Sequence, residues 1–79
     1  MSTSTLSTTA WTEVATTTTD TVFQNRSNSP VYITTEATGS LDPTDGFYLG
    51  PSQAIIVSTG NTVSAYAFRE AVELFYMEV

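Results

Sequence analysis

The sequence predicts an all-β protein: a single small antiparallel β-sandwich or barrel of about seven short strands, preceded by a Ser/Thr-rich N-terminal arm. Three observations carry this expectation. Short apolar or β-branched runs recur at spacings of roughly 8–12 residues, separated by Gly, Pro, Asn and Asp clusters. Within several runs, side-chain character alternates with period two, as a pleated strand with two different faces requires. A chain of 79 residues has room for one hydrophobic core and no more.

Residues 1–10 are mostly Ser and Thr around a single Leu6. Such a segment is too polar and too simple to pack on its own, so it is expected as a flexible arm, with residues 11–79 forming the folded domain. The first three runs, 11–16, 21–24 and 31–35, are dominated by residues whose branched or aromatic side chains suit a pleated surface. Between the second and third, Asn25-Arg26-Ser27-Asn28-Ser29-Pro30 supplies turn chemistry, which makes these two runs expected neighbours. A long irregular stretch follows through Gly39, Asp42-Pro43 and Asp45-Gly46. Asp-Gly favours positive φ, and Pro43 biases the residue before it to an extended conformation, so a loop belongs there.

Residues 47–49 form a fourth run, stopped by Gly50-Pro51, and residues 54–58 a fifth. The unbroken Ile55-Ile56-Val57 implies burial on both faces. Gly60-Asn61 resembles a two-residue hairpin turn, which predicts antiparallel pairing of the fifth run with the sixth, where Val63, Ala65 and Ala67 alternate with Ser64, Tyr66 and Phe68. Over residues 71–79 two periods compete. Phe68, Val72, Phe75, Tyr76 and Val79 fall on one helical stripe, whereas an extended chain sets Val72, Leu74 and Tyr76 against Glu73, Phe75 and Met77. The lack of a good cap before Glu70 and the aromatic, β-branched content favour a strand. Apolar on both faces, it would need covering by a second layer or a neighbouring subunit.

Composition narrows the chemistry. Eight carboxylates face only Arg26 and Arg69, for a formal net charge of −6, so nucleic acid and anionic membranes are unsuitable partners. The first residues show neither the charged n-region nor the apolar h-region of a signal peptide, so a soluble, unexported product is expected. With no Cys and no His, disulfides, structural zinc, nucleophilic triads and thiol chemistry have no residues to use, and no cofactor is expected. Small domains lacking such supports draw stability from assembly. A carboxylate-pair hydrolase is the one enzyme the remaining side chains permit, and no pair presents itself. Asp42-Pro43-Thr44-Asp45-Gly46 reads as turn chemistry, not a calcium loop. Asn25-Arg26-Ser27 matches a glycosylation acceptor but, without an export signal, reads as a loop triplet.

The expectation is therefore a non-enzymatic protein that acts through its surfaces. An ordered arm would need a neighbour to lie on, which would bring Leu6 to an interface. Alternation sets Tyr32 opposite Val31 and Ile33, and Tyr48 opposite Phe47 and Leu49, so the tyrosines are the better surface candidates. Arg26 and Arg69 are natural anchors to a neighbour's carboxylate. The partner-interface candidates are Leu6, Trp11, Arg26, Tyr32, Tyr48, Tyr66, Arg69, Phe75 and Tyr76.

The Ser/Thr-rich start, Trp11 followed by a Val, Val22-Phe23-Gln24-Asn25 with Ser27, and Pro30-Val31-Tyr32-Ile33 together resemble small structural proteins of tailed bacteriophages. Gly46-Phe47-Tyr48-Leu49-Gly50-Pro51, the Gly60 turn and Val63-Ser64-Ala65-Tyr66-Ala67 continue the likeness over most of the chain. The glycine-rich hairpin usual before the last strand is replaced by Phe68-Arg69-Glu70-Ala71. The resemblance implies a small β-sandwich or barrel carried on the virion. It points to a capsid decoration (cement) subunit at the capsid surface, made in the host cytoplasm, with the major capsid protein and copies of itself as partners. A tail or fibre module recognising host surface glycan is the alternative. No functional residue transfers from it.

Overall fold

The computed structural model describes residues 2–36, 38, 39, 42 and 45–78; Met1, Ala37, Ser40, Leu41, Pro43, Thr44 and Val79 lie outside the described residues, and with them part of the loop expected before Phe47. The strands are β1 (Ser2–Thr5), β2 (Thr12–Thr16), β3 (Thr21–Asn25), β4 (Val31–Thr34), β5 (Phe47–Leu49), β6 (Ala54–Val57), β7 (Thr62–Ala67) and β8 (Glu73–Glu78). They form two antiparallel four-stranded sheets, of order β1-β8-β3-β6 (sheet A) and β2-β7-β4-β5 (sheet B). Two separate sheets stacked face to face make a sandwich, not a closed barrel.

The first half of the chain pairs with the second in reverse order: β1 with β8, β2 with β7, β3 with β6 and β4 with β5. Additional pairings of β3 with β8 and β4 with β7 join these couples into sheets. This is the pairing scheme of a jelly roll, in which one long folded-over hairpin is wrapped into two layers.

Strand pleat explains the core. On sheet A, Phe23 and Leu74 point inward; on sheet B, Val31, Ile33, Val63, Ala65 and Ala67 do the same, and all are buried in one cluster. A bulge between Glu13 and Ala15 puts Val14 against that cluster as well. The terminal segment is a strand, with Leu74 buried and Met77 exposed on opposite faces.

Because successive strands mostly change sheet, the turns at both ends must bridge the layers, and buried polar side chains hold them. Fully buried Asn25 donates from Nδ2 to the carbonyls of Ser29 (2.8 Å) and Leu49 (3.0 Å) and accepts at Oδ1 from the Ser27 N–H (3.0 Å). At the other end the Thr17 hydroxyl donates to the Ser58 carbonyl (2.7 Å) and accepts from the Asn61 N–H (3.0 Å). Gly60 in that bridge has φ +89°, a conformation open to glycine at little cost.

Several expectations are corrected. In place of a flexible arm, Ser2–Thr5 pairs along β8 as β1, and Leu6 is 1% exposed, tied by its N–H to the Val72 carbonyl at 2.8 Å. A Ser/Thr strand has little to bury, but one following leucine anchors it. The segments 21–25 and 31–34 lie in different sheets, and so do β6 and β7. Their Asn- and Gly-containing turns cross between layers and do not close hairpins. Ile56 is 66% exposed, because β6 is an outer strand of sheet A and only alternate residues can face the core.

If residues 2–6 are structural, Leu6→Ala should lower the stability of the chain by about 2–5 kcal/mol, read from urea unfolding. A dispensable arm would leave the unfolding midpoint unchanged.

Candidate aromatic face

The pleat that turns Val31, Ile33 and Leu49 inward turns their neighbours outward. Tyr32 lies opposite Tyr48 on one side and Tyr66 on the other, so β5, β4 and β7 carry a row of three tyrosines across the outer face of sheet B. The Tyr32 and Tyr48 rings meet edge to face at 5.7 Å and 72°. Phe68 extends the surface, packing against Tyr32 at 5.7 Å and 75°. Edge-to-face contacts of this kind satisfy the ring quadrupoles and keep part of each ring face free.

Trp11, just ahead of β2, joins the row from the far side, meeting Tyr66 at 5.7 Å and 68°. The Tyr66 hydroxyl donates to the Thr8 carbonyl at 2.6 Å, which ties the chain ahead of Trp11 to the face. The indole reaches across to Gly46, where an added Cβ would stand 2.8 Å from Trp11 Cη2 and 3.2 Å from Tyr32 Cβ. Absence of a side chain at Gly46 is what admits the ring. The result is a contiguous aromatic surface in which Trp11, Tyr32 and Tyr66 are half-buried and locked by neighbours, while Tyr48 and Phe68 are exposed.

The outer face of sheet A is different. Val22 lies opposite both Ile56 and Met77, giving an apolar cross-strand triplet. Arg26 places its guanidinium 4.6 Å over the Phe75 ring and donates from Nε to Gln24 Oε1 at 2.8 Å. Its charge is thus held against its own sheet.

Of the sequence-predicted interface residues, Trp11, Tyr32, Tyr48 and Tyr66 come together on sheet B. Arg26 and Phe75 lie on sheet A, and Arg69 is exposed in the turn before β8. Leu6 is in the core, out of reach of any partner. Tyr76 stacks on Phe23 at 5.5 Å and 22°, and so belongs with the core packing. Phe68 was absent from the candidates although it shares the parity of Tyr66, which is the signal that finds it.

Among the described residues, no three Asp or Glu side chains gather to hold a metal ion, and no helix is long and apolar enough to cross a membrane. Concavities elsewhere on the molecule are lined by residues other than these five aromatics, among them a cleft beside Phe47 and β6 and a shallow one at Arg26 and Phe75. In comparisons with known proteins, no family model, no curated protein and no solved structure matches this chain.

Gly46→Ala should displace the indole of Trp11, the single tryptophan, shifting its fluorescence to the red and weakening the near-ultraviolet circular dichroism, with the far-ultraviolet spectrum retained. An unchanged tryptophan spectrum would mean that the ring does not lie against Gly46.

Proposed function

We propose that this chain is a non-enzymatic structural subunit that decorates a protein shell and docks through the aromatic outer face of sheet B. On the sequence resemblance, the shell is the capsid of a tailed bacteriophage, the principal partner its major capsid protein, and further copies of the chain neighbours on the lattice. The observation that carries the proposal is the gathering of Trp11, Tyr32, Tyr48, Tyr66 and Phe68 on one outer face.

Contiguous apolar patches on small soluble domains mark interaction sites, and Trp and Tyr dominate the energetics of protein interfaces. Rings already fixed by edge-to-face contacts lose little entropy on docking. What the face presents is ring surface edged with tyrosine hydroxyls, which supports a binding role. Jelly rolls recur in viral capsid proteins and in lectins alike, so the choice rests on the site and not on the fold.

Glycan recognition by a tail or fibre module is the second reading, favoured by the exposed Tyr48 ring in a row of hydroxyl-bearing aromatics. Ligand sites for small molecules are concave, whereas these rings lie on the outer face of a sheet, which supports docking to a protein as the first reading.

Tyr48 and Phe68 are exposed, so replacing both with Ser should leave the fold intact. Co-sedimentation of the purified chain with undecorated shells should then weaken at least about tenfold, the scale of a lost interface hot spot. Unchanged retention on shells would contradict docking through this face. Saturable binding of oligosaccharide that the same substitutions abolish would favour the glycan reading instead.

A further inference from the structure

The two flanks of the sandwich are closed in different ways. Where β1 and β2 are the outer strands, Leu6 fills the space between the layers. Where β5 and β6 are the outer strands, a cleft of about 550 Å³ opens, lined by Ile33, Phe47 and residues 55–57 of β6, with Glu36 and Asp45 contributing carboxylates. Phe47 pairs with Ile33 and so has inward parity, yet it is 59% exposed: its ring forms a wall of the cleft and is not core.

Charge is polarised along the strands. Strand directions put Asp20, Glu36, Asp42, Asp45 and Glu78 at the end where this cleft opens, while Arg26 and Arg69 lie at the opposite end with Glu70 and Glu73. An apolar floor flanked by the exposed carboxylates of Glu36 and Asp45 repels phosphate-bearing ligands and attracts a cation attached to an apolar group. The cleft follows β6 over three consecutive residues, 55–57, and β6 is the outer strand of its sheet. An edge strand beside an apolar slot is the setting in which an extended segment adds its main chain to a sheet and drops alternate side chains into the slot.

We infer that this cleft receives an extended polypeptide segment of a partner that presents apolar side chains alternating with lysine or arginine. The segment lies along β6, its apolar side chains fill the space between Phe47 and Ile55, and its cations face Glu36 and Asp45. The inference goes beyond the proposed decoration role and does not use the aromatic face, so either can fail without the other.

The test is a nitrogen-15 NMR titration of the full chain with the end-capped peptide Lys-Val-Lys-Val-Lys, against Glu-Val-Glu-Val-Glu and Lys-Ser-Lys-Ser-Lys. The first should shift amides of residues 33–36, 45–47 and 55–57 saturably, and less so as salt is raised; the two controls should not. Glu36→Gln with Asp45→Asn should weaken binding about tenfold, roughly threefold for each exposed charge pair. Phe47→Ser should remove binding while the remaining amide spectrum stays in place. Absence of shifts at millimolar peptide, equal binding of either control, or shifts confined to the tyrosine row would overturn the inference.

Discussion

Reverse-order pairing of the two chain halves is the constraint on which the rest of this structure depends. Of the strand pairs among the described residues, only β4 and β5 are neighbours in sequence; β1 with β8, β2 with β7 and β3 with β6 all join distant segments. No strand couple apart from β4–β5 can form early from local contacts, and loop-closure entropy must be met before the core offsets it, so folding is expected on the slow side for the chain's size. The same wrapping makes the layers interdependent. Phe23 and Leu74 from one sheet and Val31, Val63 and Ala65 from the other share a single buried cluster, so neither sheet has a core of its own.

Once the wrapping is set, the pleat distributes function without further design. Each inward residue commits its neighbours outward, so the short apolar strands that build the core also turn Tyr32, Tyr48 and Tyr66 to the outer face of sheet B and Ile56 and Met77 to that of sheet A. A domain this thin has an outer face for every inner one. Its turns must also cross between layers, and Asn25 and Thr17 satisfy the backbone groups those crossings bury. With so little interior, what the molecule offers a partner is surface: an aromatic face, an apolar strip and an acidic end.

Period-two alternation was the legible part of the sequence. It put Tyr32 and Tyr48 outward, while the missing cap before Glu70 and the aromatic, β-branched content made the last segment a strand despite a tidy helical stripe. Pairing partners were not legible, because Asn25–Pro30 and Gly60-Asn61 carry the same turn chemistry whether the chain folds back within a sheet or crosses to the other. Ser2–Thr5 was misread for a related reason: its strand character comes from β8 alongside it and from Leu6 inside the core, not from its own composition. Ile55-Ile56-Val57 looked doubly buried, since apolar residues in sequence do not reveal whether a strand is central or outer. The aromatic face was half visible, in the shared parity of Tyr66 and Phe68, but the arrival of Trp11 over Gly46 depends on a turn and a tertiary contact.

Strand order decides between this account and any simpler meander, and inter-strand nuclear Overhauser effects measure it directly. Reverse-order wrapping predicts backbone cross-peaks linking Ser4 to Leu74, Val22 to Ile56 and to Met77, and Tyr32 to both Tyr48 and Tyr66. Cross-peaks running instead between residues 21–25 and 31–34, or between 54–57 and 62–67, would describe sequential hairpins and contradict it.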